Sequence, residues 1–125
     1  LAILFPKTSF MLVDSITKKT KVVFEVAEAL GLENVKVVND RFENIDEQQD
    51  YIISRAVAPA AKLVSLTKKA TTKRTQHLFI KGGDLKEEKH ELKNRYPKTK
   101  WEETALASLF EEPFFETKKI IRLSF

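Results

Sequence analysis

The strongest constraint on the fold is an apolar run that ends in a carboxylate and leads directly into an amphipathic segment. Residues 9–13 form a run of strand length, Asp14 ends it, and a basic helical pattern begins at Ile16. A continuous apolar run is typical of a strand covered on both faces, as in a parallel sheet. This segment therefore predicts a strand and a crossover helix of an open α/β sheet.

Asp14 is a candidate ligand-binding residue because it ends this strand. In open α/β sheets the carboxyl ends of the strands form the ligand-binding edge, where an acid accepts hydrogen bonds from ribose hydroxyls. The glycine-rich loop that usually comes about twenty residues earlier does not occur in this sequence. A second interpretation is an acid that stabilises the N-terminus of the following helix. We expect ribose binding, in a cofactor-binding domain that lacks its first part.

Strand and helix patterns alternate along most of the chain. Further strands are predicted at 35–38, 51–54 and 77–80, and helices at 16–30, 59–70 and 84–95. Two more runs of strand character, 101–109 and 115–123, follow in succession. This order predicts an α/β fold in which a mostly parallel sheet ends in an antiparallel hairpin.

Individual residues predict the ends and the buried faces of the helices. Ser15 or Thr17 is expected to cap the first helix, and Gly31 stands where its C-terminus favours positive φ. Leu85 and Leu92 are the expected anchors of the charged third helix. The apolar face of the first helix is expected to consist of Ile16, Val23, Val26, Ala27 and Leu30.

Length and composition indicate one globular domain that spans residues 1–125. Hydrophobic residues make up 42% of the chain and charged residues 32%. The apolar runs all fall short of the roughly eighteen residues that a membrane helix requires. Residues 1–5 end at Pro6 without a basic leader or a cleavage site, so we expect the last turn of a helix rather than a signal peptide.

The chain has no cysteine, which excludes disulfides and thiol chemistry and fits a cytoplasmic protein weakly. Its two histidines lie too far apart in sequence to indicate a metal site, and we expect His77 to be a strand-start residue and His90 a surface residue rather than catalysts. The net charge of +4 permits a polyanionic partner. A solvated surface of mixed charge explains most of the basic residues.

Two basic residues at strand ends are further candidates. Arg55 follows an apolar strand and precedes small residues, and its planar guanidinium matches a carboxylate or a phosphate. The alternative for Arg55 is a structural ion pair with an acid such as Asp50. Lys81 precedes two glycines, which allow close approach of a ligand to the backbone. Lys81 is expected to meet a phosphate or a base edge, unless it is a solvated lysine at a turn.

Four short sequence motifs occur in order at the predicted strand ends: Leu12-Val13-Asp14-Ser15, Asp40-Arg41-Phe42-Glu43, Ser54-Arg55-Ala56-Val57-Ala58 and Ile80-Lys81-Gly82. With the strand order, they resemble the bacterial small-subunit ribosomal RNA guanine-N7 methyltransferases, the glucose-inhibited division protein B family. The resemblance spans nearly the whole chain. It departs from the family at Phe42, where Ala is common, and the family's first strand and Gly-rich loop would precede Leu1.

The resemblance implies a Rossmann-like fold and S-adenosyl-L-methionine as the cofactor. Asp14 would bind the ribose, and Phe42 and Glu43 would contact the adenine, mainly through backbone groups. Arg55 would lie where cofactor and substrate meet, in contact with the methionine end of the cofactor or with the target nucleotide. The strand that precedes Leu1 in the family would lie beside the Asp14 strand and the Tyr51 strand, so both would keep an unpaired edge.

The resemblance also implies a guanine in the 530 loop of 16S rRNA, in the small ribosomal subunit of the cytoplasm, as the substrate. Arg41 and Lys81 would contact this substrate, and Arg55 and Lys81 would be the catalytic residues. No membrane and no metal would be involved. We expect the 125 residues alone to have weak or absent catalysis.

The chemistry of the acceptor agrees with this assignment. Guanine N7 carries a free lone pair, so no general base is needed, and catalysis is mostly positioning. Methylation of pyrimidine C5 generally requires a cysteine, and methylation of exocyclic amines often uses an Asp/Asn-Pro-Pro-aromatic turn that residues 54–59 do not contain. Two alternatives stay open: a non-catalytic RNA-binding module, and another nucleotide-cofactor enzyme such as a dehydrogenase.

Overall fold

The computed structural model describes residues 1–55 and 57–125, which form two compact units, Leu1–Ile45 and Asp46–Phe125. Ala56, which belongs to the motif of residues 54–58, lies outside the described residues. Within the described ranges, no helix has both the length and the hydrophobicity to cross a bilayer. That the chain forms a single domain stays a prediction.

The first unit is a strand–helix–strand motif. Strand β1 (Phe10–Asp14) pairs in parallel with β2 (Val35–Asn39), and helix α1 (Thr17–Ala29) connects them. The register places Phe10 opposite Val35 and Asp14 opposite Asn39, so both strands end at the same edge. The predicted parallel pair with a crossover helix is confirmed.

The covered face of α1 differs from the one that we predicted. Thr20 is buried and Val23 and Ala27 are half-buried, whereas Ile16, Val26 and Leu30 are each about half exposed, at 49%, 52% and 54%. The observed stripe is narrow because two strands offer one helix little surface to cover. Helical spacing identifies the apolar side of a helix but not the width of the strip that its neighbours cover.

The ends of α1 confirm one prediction and contradict another. Gly31 has φ of 62°, the left-handed conformation expected after a helix C-terminus. At the N-terminus, the N-cap position belongs to Ile16, and neither Ser15 nor Thr17 caps the helix. The Asp14 side chain takes over part of this role, because its Oδ1 accepts a hydrogen bond from the Ile16 N–H at 2.8 Å.

The second unit contains a four-stranded sheet in the order β3-β4-β6-β5. Strands β3 (Tyr51–Arg55) and β4 (Gln76–Gly82) are parallel, and β6 (Lys118–Ser124) runs antiparallel to both β4 and β5 (Lys100–Ala105). The predicted antiparallel hairpin is confirmed. Its last strand lies inside the sheet, between β4 and β5, and the two strands are shorter than predicted.

Two helices cover one face of this sheet. Helix α2 (Ala60–Leu66) and helix α3 (Lys86–Arg95) bury a core against Phe79, Ile121 and Leu123. Leu85 and Leu92 are buried in this core, as predicted. Helix α2 is shorter than the predicted 59–70, and residues 68–70 form a separate 3₁₀ turn. The Thr67 hydroxyl donates to the Leu63 carbonyl at 2.8 Å, a local bond that competes with helix continuation.

His77 lies in this core with no exposed surface. Its Nε2 lies 3.1 Å from the Thr67 hydroxyl and 3.4 Å from the Thr71 hydroxyl. Both hydroxyls donate their protons to backbone carbonyls, of Leu63 and Thr67 respectively. They can therefore only accept from the ring, which assigns the proton to Nε2. Within the described part of the chain, Nδ1 is buried without a partner.

Gly83 lies in the turn that follows β4, and its backbone conformation leads to a prediction about stability. Its φ of 77° is a left-handed conformation that disfavours a side chain, whereas Gly82 has ordinary strand geometry. We expect Gly83→Ala to lower the free energy of unfolding by about 1 kcal/mol. Gly82→Ala is the control, because its Cβ would meet Lys118 and Thr117 at an ordinary 3.4 Å. Urea unfolding measures both variants, and equal losses would contradict the role of φ.

Candidate active site

Asp14 lies at the carboxyl end of β1, half-buried, with one carboxylate oxygen committed to local structure. Oδ1 accepts from the Ile16 N–H, which fixes the side-chain direction. Among the described residues, no group donates to Oδ2. A fixed carboxylate with an available oxygen at the end of a parallel strand can accept hydrogen bonds from ribose hydroxyls. The geometry therefore fits the function predicted for Asp14.

Asn39 ties this edge of the first unit together. Its side-chain amide donates to the Asp14 backbone carbonyl at 3.1 Å and accepts from the Thr17 hydroxyl at 3.1 Å. It thereby joins the ends of β1 and β2 to the start of α1. Sequence reasoning missed this role, although an amide opposite an acid across paired strand ends was a usable signal.

Asp40 shapes the turn that carries three predicted site residues. Its Oδ1 accepts from the Arg41 N–H and from the Asn44 side-chain amide, both at 2.7 Å. The hydrogen bonds from Asn44 and from the Arg41 N–H hold the pKa of Asp40 below its usual value. The 3₁₀ turn Phe42–Asn44 follows, with Phe42 half-buried and Arg41 and Glu43 exposed. This hydrogen-bonded turn presents the backbone of Phe42 and Glu43 at the end of β2.

Arg55 ends β3 in the second unit with an exposed side chain. The register pairs it with Ile80, so it points to the face of the sheet opposite Phe79 and Lys81. Within residues 1–55 and 57–125 no ion pair joins Arg55 to Asp50. An unpaired, exposed guanidinium at a strand end is available for an anionic or planar ligand.

Lys81 is held inside the second unit rather than presented to solvent. Its side chain is 9% exposed, and its Nζ lies 2.5 Å from Glu88 Oε1 of α3. The ammonium also donates to the Ala58 carbonyl at 2.8 Å. Glu88 Oε1 accepts in addition from the Ala60 N–H at 2.6 Å. We call Lys81, Glu88 and the backbone of Ala58 and Ala60 the Lys81–Glu88 network.

The structure thus distributes the predicted site residues between the two units. The first unit brings Asp14 and the Arg41–Glu43 turn to the ends of its paired strands β1 and β2. The second places Arg55 and Lys81 at the ends of its parallel strands, on opposite faces of the sheet. The convergence of Asp14 and Arg55 around one cofactor stays a prediction, as do the roles of all six residues.

The described residues contain no cluster of three or more histidine, cysteine or acidic side chains with metal-binding geometry. Neither of two shallow surface depressions, one lined by Thr17 and Phe24 and the other by Gln49 and Lys73, includes a predicted site residue. The candidate site therefore rests on the strand ends and their turns.

A family comparison identifies the chain. The model of the GidB family, rRNA small subunit methyltransferase G, matches residues 1–119. The chain belongs to this family. The ribosomal RNA small subunit methyltransferase G of Porphyromonas gingivalis is 44% identical over 130 residues, and that of Christiangramia forsetii is 46% identical over 129 residues. These alignments cover 98% of the chain but 57% and 58% of the relatives, so the chain spans little more than half their length.

A solved structure confirms the predicted fold class. A SAM-dependent methyltransferase from Aquifex aeolicus matches with a TM-score of 0.66 at 14% identity, over 94% of this chain and 69% of that one. The chain therefore has the Rossmann-like fold of the S-adenosylmethionine-dependent methyltransferases. The antiparallel pair β5–β6 of the second unit was predicted from the order of the strands, whereas the insertion of β6 between β4 and β5 was not.

Sequence reasoning also missed Glu88, which pairs with the candidate residue Lys81. It stands within a run of charged residues on α3, where it looks like its neighbours Glu87 and Glu91. Its position becomes distinctive only when α3 packs beside the start of α2. No sequence signal separates it from the exposed acids, because the contact joins residues 28 positions apart.

Proposed function

We propose that the protein carrying this chain transfers a methyl group from S-adenosyl-L-methionine to N7 of a guanine in 16S rRNA, in the 530 loop, as a cytoplasmic enzyme. The observation that carries the proposal is the Asp14 carboxylate, fixed at the end of a parallel strand with one oxygen available. Family membership and the Rossmann-like fold support the same assignment. The curated relatives are longer than these 125 residues, so the proposal concerns the protein that carries this chain.

In this proposal, residues of the first unit hold the cofactor. Asp14 accepts hydrogen bonds from the ribose hydroxyls, and the Asp40-shaped turn presents backbone groups of Phe42 and Glu43 to the adenine. When bound, S-adenosyl-L-methionine supplies an electrophilic methyl group on a sulfonium. Two features of this unit, the hydrogen-bonded Asp14 carboxylate and the hydrogen-bonded turn, therefore suit a nucleoside.

Basic residues orient the RNA in the same proposal. The exposed Arg55 guanidinium lies where the methionine end and the target nucleotide meet, and Arg41 contacts the RNA from the first unit. Guanine N7 attacks with its own lone pair, so the residues need only align the acceptor with the methyl group. This requirement agrees with a site built from one carboxylate, guanidinium groups and backbone.

The test is an assay of the full-length protein on unmodified small-subunit rRNA with radiolabelled S-adenosyl-L-methionine. We expect label in 7-methylguanosine after nuclease digestion, identified by mass spectrometry, and a position within the 530 loop. Absence of 7-methylguanosine above background would refute the proposal. Salt-dependent RNA binding without saturable cofactor binding would instead indicate a non-catalytic RNA-binding module.

A further inference from the structure

We propose that Glu88 is a positioning residue for methyl transfer, which acts by fixing the backbone that follows Arg55. The inference rests on the proposed function. Glu88 Oε1 holds two groups at once, the Lys81 ammonium at 2.5 Å and the Ala60 N–H at 2.6 Å. Lys81 in turn holds the Ala58 carbonyl at 2.8 Å. The Lys81–Glu88 network therefore anchors Ala58, which lies between β3 and α2, and Ala60, the first residue of α2.

Stability alone does not account for an ion pair in this position. The side chains of Lys81 and Glu88 are 9% and 18% exposed, so both charges are largely desolvated. A desolvated ion pair generally stabilises no better than apolar side chains of the same volume. An apolar pair, however, could not hold the Ala58 carbonyl and the Ala60 N–H in fixed directions. The charged side chains of Lys81 and Glu88 therefore serve to fix the orientation of these two backbone groups.

The start of α2 depends on Glu88 for its first hydrogen bond. Pro59, at the N-cap position, makes no side-chain cap. The Ala60 N–H is one of the amides that a helix leaves without an internal partner. A carboxylate at that end also interacts favourably with the helix dipole. Glu88, from the neighbouring helix α3, thus replaces the missing local cap.

Arg55 precedes the two anchored residues in the sequence. Pairing of β3 with β4 continues to Arg55, which lies opposite Ile80. Ala58 and Ala60, three and five residues further on, are held by the Lys81–Glu88 network. Arg55 points to the opposite face of the sheet from Lys81, so Glu88 acts on it through the backbone. Because catalysis by positioning is sensitive to displacements near 1 Å, release of Ala58 and Ala60 should slow the transfer step.

The experiment compares Glu88→Ala, Glu88→Gln and the control Glu91→Ala, an exposed acid on the same helix, in the full-length protein. We expect Glu88→Ala to lower the single-turnover rate at saturating RNA and cofactor by about tenfold. The Kd for S-adenosyl-L-methionine should stay within about twofold, since Asp14 and the Phe42–Glu43 turn, its proposed ribose and adenine ligands, are left unchanged. Glu88→Gln keeps the acceptor oxygen and should retain most of the rate, and Glu91→Ala should match the wild type.

Amide exchange provides a readout that does not depend on activity. By NMR, exchange of the Ala60 N–H should accelerate in Glu88→Ala and stay unchanged in Glu91→Ala. A wild-type protein without methyl transfer would refute the proposed function, and with it the catalytic consequence. A folded, active Glu88→Ala protein that transfers at the wild-type rate would overturn the positioning role alone.

A second variant covers the case in which Glu88→Ala does not fold because it leaves a buried ammonium unpaired. The double substitution Lys81→Met with Glu88→Met removes both charges together and should restore a folded protein. It also removes both backbone anchors, so the transfer rate should again fall by about tenfold. A wild-type rate in this double variant would overturn the proposal.

Discussion

Acidification from pH 6.5 to pH 4 is expected to remove about 3 kcal/mol from the free energy of unfolding through His77 alone. Burial lowers the pKa of His77 from 6.5 to about 4. In the unfolded chain the imidazole takes up a proton below pH 6.5, whereas in the folded protein it stays neutral until about pH 4. Between pH 6.5 and pH 4 the unfolded state therefore binds more protons than the folded state. The free energy of unfolding consequently decreases as the pH is lowered through this range.

The structure explains why the folded protein resists this protonation. The Nε2 proton is already donated to the threonine hydroxyls, and a second proton would have to reside on Nδ1. Within the described residues, Nδ1 has no acceptor to bind that proton, and the ring has no exposed surface. The charged ring would be both desolvated and unsatisfied, which is the costly arrangement for a buried group.

The measurement is urea unfolding of wild type, His77→Gln and His90→Gln at intervals between pH 4 and pH 7. Carboxylates also titrate in this range, so the informative quantity is the difference between wild type and each variant. His77→Gln should lose a pH-dependent component of about 3 kcal/mol, and His90→Gln, at an exposed position on α3, should keep it. Parallel pH profiles of wild type and His77→Gln would contradict the prediction. Above about pH 7.5, where the unfolded chain no longer binds the proton, the component should be constant.

The order of the elements and the strand-end residues were predictable from sequence because they depend on local patterns. The apolar run before Asp14, the glycine after α1 and the leucines of α3 each report on their own immediate neighbourhood. Asp14, Arg55 and Lys81 all lie at the strand ends where the patterns placed them. The direction of each side chain follows from strand alternation once the ends are known.

The contacts of these residues were not predictable, because they depend on how distant elements pack. Lys81 lies on the same face of β4 as His77 and Phe79, and that parity places its ammonium under the helices rather than in solvent. A lysine before two glycines reads as a mobile surface group from sequence alone. The burial of His77 was missed for the same reason, since a polar residue at a strand start is usually exposed.

Asp14→Asn is expected to lower the affinity of the full-length protein for S-adenosyl-L-methionine roughly ten- to hundredfold. Hydrogen bonds to a charged group contribute about 1.5–3 kcal/mol, and the neutral amide loses the charge assistance to the ribose hydroxyls. The asparagine keeps Oδ1, so the bond from the Ile16 N–H and the local turn should survive. The loss therefore reports on the ligand rather than on folding.

Asp84→Asn is the matched control for this experiment. Asp84 also follows a strand, and its Oδ1 accepts from the Lys86 N–H at 3.0 Å, two residues ahead, as Asp14 accepts from Ile16. Both substitutions remove one negative charge and preserve the same local bond. Isothermal titration calorimetry should show wild-type affinity for Asp84→Asn and weakened binding for Asp14→Asn. If both variants lose affinity equally, the loss comes from the change in net charge rather than from a contact of Asp14. If neither variant loses affinity, Asp14 does not bind the ribose.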